Sequence, residues 1–209
     1  NQNFPNAQYN LGLIYYEGKY TPKDIIKGQD YIIKSSKNKY KMGNFSHGFL
    51  LHEGRHIKRN IKDAIYYYKE ASSFNNQYAK NNLGIIYKNG FGDEIKENIG
   101  YAIGYFDEAI HQKNDYLSMY NLAHIYIFNE SVKLQDINKP IELLVKSSNK
   151  FNDSLFLLCL VLIKHFGSEM TKIERYTMPI FVIVYLKIIM VNMIIKLSSS
   201  SLLLMLKLL

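Results

Sequence analysis

Three histidines within ten residues, His47, His52 and His56, are of the type that binds metal ions or transfers protons. His52 and His56 are four residues apart, which is the spacing of two ligands on one face of a helix. Gly54 lies between them, however, where a helix is predicted to end, so the two side chains are not expected to share a face. His52, Glu53 and His56 have the letters and spacing of the zinc motif His-Glu-x-x-His, but that motif requires one continuous helix, which Gly54 interrupts. The sequence therefore predicts no metal site.

Nucleophilic chemistry has no better support in the sequence. Cys159, the single cysteine, lies in an apolar run and is predicted to be a buried core residue. One cysteine also excludes an intramolecular disulfide framework and a cysteine-rich zinc site. The chain contains no Gly-x-Ser-x-Gly elbow, no glycine-rich phosphate loop and no protein-kinase motif. We therefore predict no catalytic residue, no cofactor and no enzymatic activity.

The 209-residue chain is basic, with 26 Lys and Arg residues against 18 Asp and Glu residues and a formal net charge of +8. Basic residues are concentrated between Lys34 and Lys62, where Glu53 is the one acid. Such a patch could bind nucleic acid or an anionic surface. A solvated face without a partner is favoured, because no arginine-rich run, ribonucleoprotein motif or zinc finger accompanies it.

An internal repeat must position whatever site the chain carries. The anchors Leu11, His47, Leu83, Leu122 and Leu158 are separated by 36, 36, 39 and 36 residues. A small residue follows the anchor in the first four frames, and a tyrosine follows in three of them, at spacings typical of an amphipathic helix. Each frame is therefore predicted to contain two short helices joined by a tight turn. No pair can bury its apolar face alone, which favours a stack of pairs.

Polar and glycine residues mark the predicted helix ends. Asp24, Asn60, Asn98 and Asp136 are predicted to cap the second helices. Gly18, Gly54 and Gly90 are predicted to end the first helices, and Asn129 takes that place in the fourth frame as a residue that tolerates positive φ. First helices are predicted near 5–17, 42–53, 77–89, 115–128 and 152–166, and second helices near 24–36, 60–73, 98–112 and 136–148.

The frame Ala-x-x-x-Leu-Gly-x-x-Tyr-x-x-Gly, followed by a cap and Ala-x-x-Tyr-x-x-x-Ala, resembles the Sel-one-like repeat, a relative of the tetratricopeptide repeat. The match is specific in the first three frames and covers about residues 5–167. It weakens where Pro140 replaces the alanine and Leu143 the aromatic residue. His47 stands where the other frames have leucine, which predicts a local packing defect or a polar contact.

The resemblance implies an all-α, right-handed solenoid of stacked antiparallel helix pairs. Residues 1–167 are expected to form four pairs plus the first helix of a fifth, and residues 168–209 a hydrophobic tail of uncertain nature. The resemblance also implies a non-enzymatic scaffold or adaptor that binds other proteins. A nucleic-acid or anionic-surface array and a membrane-tethered adaptor of a quality-control or kinase complex are the alternatives.

In solenoids of this class the first helices line a concave face, where aromatic and polar side chains suit a bound peptide or helix. The predicted partner-binding residues are Tyr9, Tyr16, Phe45, Phe49, His52, Asn81, Lys88, Tyr120 and His124. The alternative is that these residues only pack against the adjacent repeats. The oligomeric state is not predicted.

Residues 180–195 are apolar on all sides, apart from Lys187 and Asn192. A spanning helix needs about 20 apolar residues, so this run is short for one. Three interpretations stay open: a weak membrane anchor, a hydrophobic helix that covers the last repeat, and a segment that is not the native continuation, such as a translated frame error. The loss of the repeat pattern, and of acids after Glu174, favours the third. No signal peptide is visible, but the residues resemble an excerpt from a longer protein, so the location is not predicted from them. A cytoplasmic location is favoured, with membrane association through the tail as the alternative.

Overall fold

The computed structural model describes residues 4–132, 136–148, 150, 153, 154, 157, 158 and 161. Within these residues the chain forms helices and no β-strand, as the sequence predicts. The helices of the described part are α1 Pro5–Glu17, α2 Ile25–Lys37, α3 Lys41–Glu53, α4 Ile61–Ser73, α5 Gln77–Asn89, α6 Ile99–Lys113, α7 Tyr116–Phe128 and α8 Asn138–Ser148. Most helix ends lie within one residue of their predicted positions. The fifth first helix, near 152–166, and the tail at 168–209 lie largely or wholly outside the described residues.

Three second helices are capped as predicted. The side-chain oxygens of Asp24, Asn60 and Asn98 accept hydrogen bonds from the backbone N–H three residues on, at 2.9, 3.1 and 2.9 Å. The backbone N–H of each cap also donates to a carbonyl near the end of the preceding helix, at 2.9, 3.0 and 2.7 Å. These two bonds fix the turn between the helices of a pair in the same way in the first three repeats.

Helix α8, the second helix of the fourth repeat, begins later than predicted. In the other repeats the small residue four positions after the cap donates its N–H to the carbonyl of the cap. Pro140 stands at that position and has no N–H. The first helical bond therefore runs from the N–H of Ile141 to the carbonyl of Ile137, at 3.4 Å. Asp136 instead accepts from the N–H of Asn138 at 2.9 Å, before the helix starts.

The first helices end in three different ways, since Gly90 after α5 has φ 65° but ψ −176° and so lies outside the left-handed region that was predicted for it. Gly18 and Gly54 lie in the left-handed region, at φ 75° and 69°, as predicted. Asn129 follows the end of α7 as predicted, but the expected positive φ was wrong, because this residue has φ −89° and extended backbone. Its side-chain oxygen accepts hydrogen bonds from the N–H and hydroxyl of Ser131. This local turn ends the helix, so no positive φ is required.

Glycines let the two helices of a pair approach each other closely. A methyl group on Gly12 would lie 2.8 Å from the Ile32 side chain. A methyl group on Gly84 would lie 2.5 Å from the ring of Phe106. Both large side chains are buried, and each lies one position after the tyrosine that the sequence frame marks. The small residue on one helix therefore makes room for a large residue on the other.

The hydrophobic core runs between repeats as well as within them. One cluster joins α4 to α5 and a second joins α6 to α7. The first cluster contains Ile61, Ala64, Ile65, Tyr68, Ala71, Ala79, Leu83 and Ile86, and the second Ala102, Phe106, Leu122 and Ile125. Anchors Leu83 and Leu122 are fully buried, as predicted, whereas Leu11 is half-buried. Each helix pair thus shares its apolar surface with the next pair.

One ion pair between a buried lysine and an exposed glutamate ties α5 to α6. The ammonium group of Lys80, whose side chain is only 3% exposed, lies 2.9 Å from a carboxylate oxygen of Glu108. We expect Glu108→Gln to lower the free energy of unfolding by about 1 kcal/mol, because it leaves a buried charge without its counter-charge while solvent near the half-exposed Glu108 limits the loss. Urea unfolding of the single variants and of the double variant with Lys80→Met measures this effect. Glu108→Gln should cost little once Lys80 is methionine, and an equal cost in both backgrounds would contradict the ion-pair account.

The chain divides into two units, Asn1–Leu143 and Leu144–Leu209. All of α1 to α7 belong to the first unit, so it contains every predicted partner-binding residue. In the second unit, Leu144 and Ser147 are buried, and the Ser147 hydroxyl donates to the carbonyl of Leu144 at 3.2 Å. No helix among the described residues is long and apolar enough to span a membrane.

Candidate protein-binding face

The candidate site is the solvent-facing side of α1, α3, α5 and α7, which we call the first-helix face. These helices are neighbours within the first unit, because α1 contacts α3 and α5 contacts α7. Ring contacts also bridge α3 and α5, since the centroids of Phe45 and Tyr78 are 6.0 Å apart. The predicted partner-binding residues are all on these helices, but they differ in how much surface they offer.

On α1, both predicted tyrosines are half-buried. The ring of Tyr9 lies 5.5 Å from the ring of Tyr40, and its hydroxyl oxygen lies 3.4 Å from the hydroxyl of Ser46 on α3. Tyr9 therefore packs against the second repeat while part of its ring stays accessible. Tyr16 is half-buried in the last turn of α1.

On α3, Phe49 offers the largest exposed surface of the three predicted residues. Phe45 is half-buried and lies 6.0 Å from the buried ring of Tyr68, so part of it belongs to the core. His52 is half-buried, and its Nδ1 lies 3.4 Å from the Tyr68 hydroxyl. Its ring also meets Phe91 edge-on at 6.5 Å. Phe49 and the outer edges of the other two are available to a partner.

Asn81 on α5 serves the structure of the stack. Its side chain is buried, and its oxygen accepts hydrogen bonds from Ser118 and Asn121 on α7, at 3.2 and 3.1 Å. These bonds satisfy a polar group that would be costly to bury alone. The side chain has no surface left for a partner, so we leave Asn81 out of the proposed binding surface.

The remaining predicted residues form a polar and aromatic end of the face. Lys88 is half-buried in the last turn of α5, and burial lowers the pKa of its ammonium group. His124 on α7 is half-buried between Tyr120 and Phe128, with ring centroids at 6.3 and 4.6 Å. Burial lowers the pKa of His124, and the nearby positive charge of Lys88 lowers this pKa further. The charge of Lys88 thus acts on His124, and the two residues belong to helices α5 and α7, which contact each other.

Three exposed residues of the face were missed in the sequence. Tyr78, Leu117 and Phe128 are 56%, 39% and 53% exposed, against 44% for Phe49. Each lies three or four residues along its helix from a predicted position, so helical periodicity could have found all three. Tyr78 and Leu117 lie in the first turns of α5 and α7, and Phe128 is the last residue of α7, positions that the predicted set does not include.

The basic stretch does not form one surface. Lys34, Lys37, Lys39 and Lys41 lie around the turn between α2 and α3, whereas Arg55, Lys58, Arg59 and Lys62 lie around the loop between α3 and α4. All eight are exposed, and α3, about 20 Å long at 1.5 Å per residue, separates the two groups. Arg55 also pairs with Glu53 at 3.2 Å. Nucleic-acid binding stays a prediction, and RNA binding that shows no fall between low and moderate salt would contradict it.

The histidine cluster has separate environments. His47 is buried against Tyr67, with ring centroids 4.1 Å apart, and its Nδ1 lies 3.2 Å from the Ser36 hydroxyl. The sequence predicted a packing defect or a polar contact here, and the contact is polar. His56 is exposed in the loop beyond α3. Within the part of the chain that the structure describes, no group of three His, Cys, Asp or Glu side chains could hold a metal ion.

Comparisons with known proteins agree with this architecture. The Sel1 repeat model matches residues 5–40, 39–73, 77–114 and 117–149. A search of the curated proteins found no match. Two similar solved structures are a Sel1 repeat protein from Oxalobacter formigenes, with a TM-score of 0.69 and 23% identity, and c5321, a protective antigen of uropathogenic Escherichia coli strains with an SLR fold, with a TM-score of 0.69 and 24% identity.

The two structural neighbours are longer than the matched region. The alignments cover 77% and 78% of this chain but 64% and 34% of the neighbours. At this identity they show the fold, which is an all-α solenoid. Sel1 repeat proteins generally act as protein-interaction scaffolds, and their fold is typically non-enzymatic. Because the family model matches well over half of the residues, the chain belongs to the Sel1 repeat family.

Proposed function

We propose that this protein is an interaction scaffold that binds a peptide or helix of a partner protein along the first-helix face. The observation that carries the proposal is the recurrence of exposed apolar side chains on successive first helices. Phe49, Tyr78 and Phe128 belong to α3, α5 and α7 and are about half exposed. Large aromatic side chains supply much of the binding energy in protein interfaces.

The polar residues of the same face support a directional contact. His52, Lys88 and His124 are half-buried on the same three helices, and the ring of His124 lies 4.6 Å from the ring of Phe128. Partly desolvated polar groups next to apolar anchors fix the orientation of a bound segment. The adjoining repeats also hold the face rigid through Asn81 and its two hydrogen bonds to α7. A rigid surface loses less conformational entropy on binding.

A selection of random 12-residue displayed peptides against the full 209-residue chain tests the proposal. We expect enriched peptides to lose at least about tenfold in affinity for the triple variant Phe49→Ala, Tyr78→Ala, Phe128→Ala, because truncating an interface anchor costs about 1–2 kcal/mol or more. Fluorescence anisotropy with the synthetic peptides measures the affinities, and thermal unfolding confirms that the variant is folded.

The matched control removes equally exposed tyrosines from the second helices. Tyr66 on α4 and Tyr101 on α6 are 57% and 60% exposed, and the double variant Tyr66→Ala, Tyr101→Ala should bind the same peptides as the unaltered chain does. Failure to enrich any peptide would overturn the proposal. Equal losses in the control and in the triple variant would overturn it as well.

A further inference from the structure

The two lysines of α5 differ in whether a carboxylate lies near the ammonium group. Lys80 is buried and has the carboxylate of Glu108 at 2.9 Å. Lys88, two turns later, is half-buried at the candidate face. Among the residues that the structure describes, no carboxylate lies within 4 Å of its ammonium group. A partly desolvated ammonium group without a counter-charge is unfavourable, so an anion from outside the chain would be stabilised there.

The surroundings of Lys88 define what kind of anion fits. His124 on the adjacent repeat can donate a second hydrogen bond from its ring. The ring of Phe128 lies 4.6 Å from that of His124 and is exposed, so an apolar group can bind beside the polar pair. The chain as a whole carries a net charge of +8, which favours acidic partners over basic ones. A carboxylate next to an apolar side chain satisfies all three features.

We infer that the partner segment is acidic and presents an Asp or Glu side chain to Lys88 and His124, with an apolar side chain against Phe128. This inference rests on the proposed function, because it names the chemistry of the segment bound on the same face. The carboxylate accepts hydrogen bonds from the Lys88 ammonium and from a His124 ring nitrogen. Charge-assisted bonds of this kind are stronger than neutral ones, so this contact selects among segments that the aromatic anchors alone would accept.

Peptides selected on the unaltered chain and on the full-length variants Lys88→Met and Lys88→Glu test the inference. We expect Asp and Glu to be enriched beside an apolar residue in the first selection, to lose that enrichment with Lys88→Met, and to be replaced by Lys or Arg with Lys88→Glu. For an amidated, acetylated synthetic peptide, replacing the selected Glu by Gln should cost about tenfold in affinity for the unaltered chain. The same replacement should cost less than twofold with Lys88→Met.

The controls separate this inference from the proposed function. Lys69→Met removes an exposed lysine from the second helix α4 and should leave the preference for acids unchanged. If peptides bind, depend on Phe49, Tyr78 and Phe128, and tolerate Glu→Gln without loss, then the inference is overturned while the proposed function stands. Binding only by peptides with a free C-terminus would also overturn it, because the anion would then be the terminal carboxylate. Peptides insensitive to the aromatic substitutions would overturn the proposed function and the inference together.

Discussion

Replacing Gly84 by alanine is expected to lower the free energy of unfolding by about 2 kcal/mol, although alanine is the better helix former. The added methyl group would lie 2.5 Å from one ring atom of Phe106 and 2.7 and 2.8 Å from two others. Phe106 is fully buried in the cluster between α6 and α7, so its ring has no free space into which it can move. The helices must therefore separate or the ring must leave its preferred rotamer. Urea unfolding followed by circular dichroism at 222 nm measures the loss.

The matched control is the same substitution on the exposed side of α6. Gly104 is exposed, and a methyl group there would meet no atom within 4 Å. Gly104→Ala should therefore stabilise the protein by about 0.5–1 kcal/mol, which is the helix-propensity difference between the two residues. A side chain smaller than the Phe106 ring should relieve the clash. Phe106→Leu should therefore lower the free energy of unfolding less in the Gly84→Ala background than in the unaltered chain. Equal effects of alanine at Gly84 and Gly104 would contradict the close-packing account.

The stability of the protein is expected to fall by about 1–2 kcal/mol between pH 7 and pH 5 through His47. The pKa of His47 is lowered to about 4, mainly by burial and also by the positive charge of Lys37, against the opposing effect of Asp63. The ordinary value, in the unfolded chain, is 6.5. As the pH falls below 6.5, His47 of the unfolded chain binds a proton, whereas His47 of the folded protein stays neutral down to about pH 4. The free energy of unfolding therefore decreases between about pH 7 and pH 4, and it does not change above pH 7.

His47→Leu isolates this contribution from other histidines. Burial also lowers the pKa values of His52 and His124, so they add to the acid sensitivity and remain in the variant. Leucine occupies the equivalent buried positions at Leu83 and Leu122, and the Ser36 hydroxyl keeps its bond to Asn44 at 3.0 Å. Urea unfolding at pH 7.5, 6 and 5 should give a shallower pH dependence for the variant. Parallel curves for the two proteins would show that His47 does not cause the loss.

The helical framework could be predicted because its causes are local. A cap such as Asn60 and a helix-ending glycine such as Gly54 act through backbone groups within a few residues, so the sequence alone places the helix ends. The late start of α8 has an equally local cause in Pro140, but two opposing rules applied there. The cap rule favoured Asp136, and the missing N–H of Pro140 decided the outcome.

The candidate face was only partly predictable because exposure depends on neighbouring repeats. Asn81 and Phe49 both belong to the predicted face, yet Asn81 is buried by α7 and Phe49 is open. The same applies to Lys80 and Lys88, since the position of a counter-charge on the next helix cannot be deduced from helical periodicity. Spacing within one helix predicts which side chains share a side, and contacts between helices decide which of them reach solvent.

A core shared between adjacent pairs also governs how such an array can grow or shrink. Deleting one whole unit, such as residues 41–76, brings together two surfaces of similar kind, because the small buried pair Ala71 and Ala79 has counterparts in Ser35 and Gly43 at the α2–α3 boundary and in Ala109 and Ser118 at the α6–α7 boundary. The first described repeat differs, because the equivalent small and apolar positions of α1 are more exposed among the described residues. In α1, Ala7 is exposed and Leu11 half-buried, whereas Ala79 and Leu83 at the equivalent positions of α5 are buried. Gain or loss of a unit at an internal boundary therefore preserves the kind of packing on both sides of that boundary.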